Sequence, residues 1–221
     1  MSDFPITEVM AAACAAHRIN GFVKKHEARP NDESPKLANS SMLYSHFYDD
    51  QKLDITESDR LQAFEVIEYL KGLSFKALER ELTDFEQNVL KLVTSDITDS
   101  GSLGIAASLP KVYQNKVDQD SWEMRERELS QASEYAGDLK QRSVFDLVIE
   151  NIRYIKTTGA YLYCCSVHGT KNIVKFFSEY DVGQVGSQLQ VTAFVKSHAV
   201  SKYHGGKETM INRIKEITAD G

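Results

Sequence analysis

Residues Ser133–Ile217 read SEYAGDLKQRSVFDLVIENIRYIKTTGAYLYCCSVHGTKNIVKFFSEYDVGQVGSQLQVTAFVKSHAVSKYHGGKETMINRIKEI, and their apolar pattern has a period of two. The alternation is clearest in Ser187–His198. Leu189, Val191, Ala193 and Val195 fall on one face of an extended chain; Gln190, Thr192, Phe194, Lys196 and His198 fall on the other. Tyr161, Tyr163 and Cys165 share a face of an earlier strand, and Ile173, Lys175 and Phe177 share a face of the next. Gly159, Gly169, Gly183, Gly186 and the pair Gly205-Gly206 punctuate these runs. The pattern predicts five short strands with a long loop before the last, which is what a small OB-like β-barrel needs.

The pattern upstream is helical. Thr7 opens an alanine-rich run to about His26, with Gly21 inside it. Arg29–Ser41 is polar, holds two prolines and reads as a loop or linker. Ser58–Leu70 is amphipathic, and Ser74–Leu82 forms a short helix after Gly72. Thr83 and Glu86 make a capping box for a helix running to about Val93. Trp122–Tyr135 is charged and helical. Leu61, Phe64, Leu70, Phe75, Leu78, Phe85, Val89 and Leu92 are the expected core of this region, with Glu65, Glu68, Glu79, Glu81 and Glu86 on its outer face. The period changes from about 3.6 to 2 near Arg142. The chain therefore reads as α+β: a mainly helical region over residues 1–132, then an OB-like barrel over 133–221.

Composition sets the limits. The 221 residues are 42% hydrophobic and 26% charged, as in ordinary globular domains. No apolar run approaches the roughly 20 residues of a membrane helix. Acidic Asp3 and Glu8 sit where an export signal carries positive charge. From Arg142 onward there are ten Lys/Arg against seven Asp/Glu; the first 141 residues carry 16 against 25. An acidic region joined to a mildly basic one suits a nucleic-acid binder that also meets a protein partner. Three cysteines (Cys14, Cys164, Cys165) without regular spacing suit a reducing compartment, and Cys164 and Cys165 point to opposite strand faces. The expectation is a cytoplasmic protein, without a membrane segment.

One stretch carries a likeness. Val195, Lys196, His198, Tyr203, Gly205, Thr209, Arg213 and Lys215 follow a Val-Lys-x-His, Tyr-x-Gly, x-Thr, Arg, Lys pattern. In this the C-terminal part resembles the OB-like domain of replication-related and single-strand-binding proteins of tailed bacteriophages. The chain departs from that pattern at Val174-Lys175-Phe176-Phe177, where a tryptophan is common. It also ends ITADG, without the acidic tail through which many such proteins recruit partners. The resemblance implies non-enzymatic binding of single-stranded DNA, or RNA second, in phage replication or recombination in the host cytoplasm.

Such binding needs cations along the backbone path and flat rings under the bases. OB folds place the groove across strands 2 and 3, between the 1–2 and 4–5 loops. The expected nucleic-acid contacts are Tyr161, Tyr163, Lys175 and Phe177 on those strands and Lys156 in the first loop. Lys196, His198, Lys202, Tyr203, Lys207 and Arg213 complete them around the last hairpin. Cys164, Cys165, His168, His198 and His204 are zinc-competent types, but no finger-like spacing joins them, so no metal is expected. Walker, G-x-S-x-G, HExxH and GxGxxG motifs are lacking, Asp146, Glu150 and Asp181 are dispersed, and neither an enzyme nor a cofactor is expected. The rival expectation is that the OB-like domain is a protein–protein module, a replication adaptor or an inhibitor of a host protein; a phage or host protein partner is expected, separately, at the acidic face of the helical region.

Overall fold

The computed structural model describes residues 4–32 and 36–220, the side chains of 216–220 excepted. Contacts divide the chain into two compact units, Met1–Val117 and Asp118–Gly221. The division falls inside a long helix, Leu109–Ser130, rather than after it.

The first unit holds helices α1 (Ile6–Asn20), α2 (Asn39–Tyr48), α3 (Glu57–Lys71), α4 (Leu73–Glu79), α5 (Asp84–Val93) and α6 (Leu103–Ala106), together with the start of α7 (Leu109–Ser130). A two-residue strand β1 (Phe4–Pro5) pairs antiparallel with β2 (Ile97–Thr98). Helix α1 is central. Val9–Ala16 is buried on every side, because alanine lets neighbouring helices approach without leaving a void. The helix stops at Asn20 rather than His26: Gly21 takes φ +65° and donates its N–H to the His17 carbonyl. Buried Asn39 then holds the following turn, accepting from Val23 N–H at 2.8 Å and donating to the Gly21 carbonyl at 2.8 Å. The expected loop over 29–41 contains an Arg29–Lys36 bridge and gives way to α2 at Asn39; residues 33–35 of it lie outside the described residues. The Thr83–Glu86 capping box forms as its sequence requires, and Thr56–Asp59 makes a second one for α3.

Asp59 also anchors α3 to α1. Arg18 grips its carboxylate through Nε and Nη2, both at 2.9 Å. Burial pushes this carboxyl up, but the hydrogen bonds from Arg18 and Thr56 outweigh it and hold the group below the usual range. A depressed folded-state pKa contributes stability that is present above the unfolded value, near 4 for Asp, and is lost as pH falls through the folded value. The melting temperature of the wild type should therefore exceed that of Asp59→Asn at pH 7, and the gap should close below about pH 4. A gap independent of pH would contradict the assignment.

The expected core stripe is corrected here. Leu61, Phe64, Phe75, Leu78 and Phe85 are exposed, Phe75 to 72% and Leu78 to 84%. The packed positions are Ala63, Val66, Ile67 and Leu70 on α3 and Val89, Leu92 and Val93 on α5. Helix α3 carries apolar residues on two stripes, and the alanine-lined surface of α1 takes the one with the smaller side chains.

The second unit is a closed five-stranded OB-like barrel. Its strands are β3 (Arg142–Ile155), β4 (Ala160–Val167), β5 (Ile173–Ser178), β6 (Gln188–Val200) and β7 (Lys207–Asp220), in the order β3-β4-β5-β7-β6. All neighbours are antiparallel except β5 and β7. Closure leaves no free sheet edge. Phe145, Leu147, Ile149, Tyr163, Cys165, Val174, Phe176, Leu189, Val191, Ala193, Val195 and Ile211 fill the interior, so the alternation read in β6 falls with its apolar face inward. Cys165 belongs to this interior while Cys164 points outward into a small cluster with Leu129 and Ile173. Among the described residues, no helix is long and apolar enough to cross a membrane.

Candidate nucleic-acid interface

The outer face of β4 and β5 is the surface that OB folds use for strands and sugars. Strand register lays it out in rows. Asn151, Cys164 and Lys175 lie across β3, β4 and β5; Arg153, Leu162 and Phe177 form the next row along. A bulge between Ile149 and Asn151 shifts β3 so that Asn151 and Arg153 join these rows.

The C-terminal half of α7 lies on the first row. Leu129 packs on Cys164 and Ile173, with Trp122 against them. Arg125 holds Glu150 of β3 through two hydrogen bonds of 2.8 and 2.9 Å, and its guanidinium keeps that carboxyl below the usual range. Lys175 Nζ lies 2.7 Å from Glu208 and 3.3 Å from Glu126. Beyond the helix, Ser133 Oγ donates to the Lys207 carbonyl and accepts from Ile173 N–H. Gly206 is where the β6–β7 loop meets the end of α7: a Cβ there would come within 2.5 Å of Ser130 Cβ. In the second row, beside the helix, Arg153 and Phe177 are exposed and Leu162 is half-buried.

The expected contacts therefore separate. Lys156, Phe177, Lys202 and Tyr203 are solvent-facing; Phe177 is 52% exposed and Tyr203 97%. Lys156, in the β3–β4 turn, and Lys202, in the β6–β7 loop, have no polar side-chain partner among the described residues. Tyr161 is half-buried, its ring 5.1 Å from that of Tyr154 and 6.5 Å from that of Tyr163. Lys196 and Arg213 sit on the β6–β7 side of the barrel instead. There Arg213 lies 5.5 Å over the Phe194 ring, and Arg142 donates to its carbonyl.

Two expected contacts, Tyr163 and Lys175, are corrected, and two others have neighbours of their own. Tyr163 is inside the barrel, stacked on Phe176 at 5.1 Å between centroids and 7° between planes. Its hydroxyl accepts from Val182 N–H and donates to Asp181, so no base can reach the ring. Lys175 is taken up by Glu126 and Glu208 under α7. Lys207 is paired with Glu134 and lies over the Tyr135 ring. His198 is stacked face to face on Tyr135, with centroids 4.4 Å apart.

Glu126, His204 and Glu208 bring three metal-ligating atoms within 4.8 Å of one another, a set whose carboxylates the sequence did not single out. They are the described residues best placed to hold a divalent cation. Two observations weigh against one. Lys175 already supplies a positive charge to both carboxylates. Nδ1 of His204 accepts from Gly206 N–H, which leaves the proton of the neutral ring on Nε2, facing the carboxylates. Burial pushes the thiols of Cys14 and Cys164 up to about 12 and that of Cys165 higher still, so none is a nucleophile at neutral pH.

Between α7 and the barrel wall is a cavity of about 500 Å³. Trp122, Leu162, Cys164 and Tyr203 supply its apolar surface; Asn151, Arg127 and Arg153 are among its polar groups. Sequence reading missed Trp122, Arg127 and Arg153. The β3 bulge, which turns Arg153 onto this face, has no local sequence signal of the kind that glycine gives a turn. The chain has no significant match among protein-family models, curated proteins or solved structures.

Proposed function

We propose that this protein binds single-stranded nucleic acid, DNA in preference to RNA, without catalysing a reaction, on the open part of the β4–β5 face. The observation that carries the reading is the row of exposed Arg153, half-buried Leu162 and exposed Phe177 on a closed OB-like barrel, flanked by Lys156 in one loop and Lys202 and Tyr203 in the other. Phe177 and Tyr203 offer flat faces for bases, and the lysines and Arg153 offer charge to phosphates. We extend the proposal to replication or recombination in the cytoplasm of a phage host, and the likeness of the hairpin to phage single-strand-binding domains is what supports that part of it. Replacing Phe177 or Tyr203 by Ala should each weaken binding of an oligonucleotide about tenfold, at the lower end of the stacking range. Fluorescence anisotropy checks this, and unchanged affinity in both variants would remove this face from the account.

A second reading rests on a separate observation. Leu61, Phe64, Phe75, Leu78 and Phe85 form an exposed set of large apolar side chains on α3–α5, in company with Glu65, Glu68, Glu79 and Glu81. Exposed apolar surface with charged surroundings marks a docking surface, and here it fits a basic amphipathic segment of a phage or host protein. In this reading a defined protein is retained by the wild type and lost by Phe64→Glu and Leu78→Glu. Equal retention by these variants would count against it.

A further inference from the structure

The cavity under the C-terminal half of α7 has the lining of a nucleotide pocket. Its volume, about 500 Å³, falls in the roughly 300–1,000 Å³ range of small-molecule sites. The one tryptophan of the chain, Trp122, is half-buried and lines it from the helix; Leu162 and Cys164 line it from the barrel. A planar ring against an aliphatic wall is the arrangement that takes up a nucleobase face.

The polar groups fit the rest of a nucleotide. Arg127 and Arg153 line the cavity, and neither guanidinium is hydrogen-bonded or ion-paired among the described residues. The Asn151 amide is likewise unpaired. By contrast Lys175 is shared by Glu126 and Glu208, and Glu123 accepts from the neutral Gln119 amide and keeps its charge. The groups left to meet a ligand are therefore two cations, an amide that both donates and accepts, and the Trp122 N–H, which donates only, with the charged Glu123 carboxylate on the same lining. Guanidinium pairs recognise phosphate, and an amide can read a base edge. An uncharged ligand would leave both arginines unmatched, and a ligand without a ring would leave the Trp122 and Leu162 surface bare.

We infer that this cavity binds one nucleotide, with its base against Trp122 and its phosphate on Arg127 and Arg153. The inference rests on the single-strand reading, in which the nucleotide belongs to the bound strand and Tyr203 stands at the mouth of the cavity.

Trp122, as the sole tryptophan, is a built-in reporter. The experiment titrates the full chain with thymidine monophosphate, adenosine monophosphate, thymidine and inorganic phosphate, reading Trp122 fluorescence. A labelled single strand is followed by anisotropy in parallel. The expected result is saturable quenching by at least one of the monophosphates, at concentrations at least tenfold below those of thymidine or phosphate. Arg153→Ala and Arg127→Ala are exposed-site changes that leave the fold intact, and each should raise the half-saturating concentration about tenfold. The strand should quench Trp122 as well. Strand binding with no change in Trp122 under any probe would overturn the pocket and leave the single-strand reading standing. Quenching by mononucleotide with no strand binding would support the pocket and overturn the single-strand reading. Equal quenching by phosphate alone would overturn the nucleotide assignment.

Discussion

Replacing Phe176 by Ala should lower the stability of the barrel unit by about 4 kcal/mol. Phe176 has no solvent exposure, and its ring stacks on that of Tyr163. Tyr163 in turn is tied to the β5–β6 connection through Val182 and Asp181. Truncation removes the transfer free energy of a benzyl group and leaves a cavity that the strands of a closed barrel cannot collapse to fill. Tyr163 would keep its hydroxyl partners and lose the stacked face, so relaxation into the void is opposed by two hydrogen bonds. Urea unfolding followed by Trp122 fluorescence measures the loss, since Trp122 packs on the outside of this barrel. A loss under about 1 kcal/mol would contradict the stacked interior arrangement of Tyr163 and Phe176.

Lys175→Met is expected to cost about 3 kcal/mol for a different reason. The lysine is mostly buried between Glu126 of α7 and Glu208 of β7, and both carboxylates face it through their Oε1 atoms. His204, nearly buried itself, directs Nε2 at the same two oxygens. With the ammonium gone, two carboxylates are left confronting each other in a site largely withdrawn from water, and the desolvation cost of both is uncompensated. The loss should fall on the docking of α7 as well as on overall stability, so Trp122 emission should shift to the red in the native state. A second change, Glu126→Gln, removes one of the two charges and should restore about half of the loss. A Lys175→Met protein as stable as wild type would show that the cluster contributes nothing to holding α7 on the barrel.

These two positions also mark where the sequence could and could not be read. Strand β6 was legible because one of its faces is packed and the other wet, so Leu189, Val191, Ala193 and Val195 declare the inside by simple alternation. Strand β4 was not, because its outer face is partly covered too: Cys164 is buried and Leu162 half-buried. Tyr161, Tyr163 and Cys165 point to the barrel interior, while Leu162 and Cys164 point toward the helix side. What covers the second face is α7, more than thirty residues upstream, and no local pattern carries that information. Tyr163 consequently looked like a stacking platform and is a core residue. Lys175 looked like a free cation because its partners, Glu126 and Glu208, are distant in sequence on either side.

The helical unit repeats the lesson. The Thr83–Glu86 capping box is local chemistry and forms as its spacing requires. The choice between the two apolar stripes of α3 is tertiary. Ala63, Val66, Ile67 and Leu70 face the buried cluster built around α1, and Leu61 and Phe64 are left to solvent. Helical periodicity identifies a stripe but does not say which of two stripes has a neighbour. Loop positions were the most readily placed. Lys156, Lys202 and Tyr203 lie in turns between strands, where glycine and polar residues fix the chain reversal and leave the side chains in water.

The central claim is that the open β4–β5 face binds single strands, and equilibrium anisotropy with a labelled strand of about 30 nucleotides tests it most directly. The measurement runs at several salt concentrations, with a duplex of the same length and the Lys156→Ala/Lys202→Ala protein alongside. The account predicts binding that prefers the single strand and weakens steeply with salt. The double variant should bind less tightly, with a salt slope shallower by about 1.4, the value for two lost phosphate contacts on a single strand. No binding at low salt, or binding that is indifferent to both lysines and to strandedness, would contradict it.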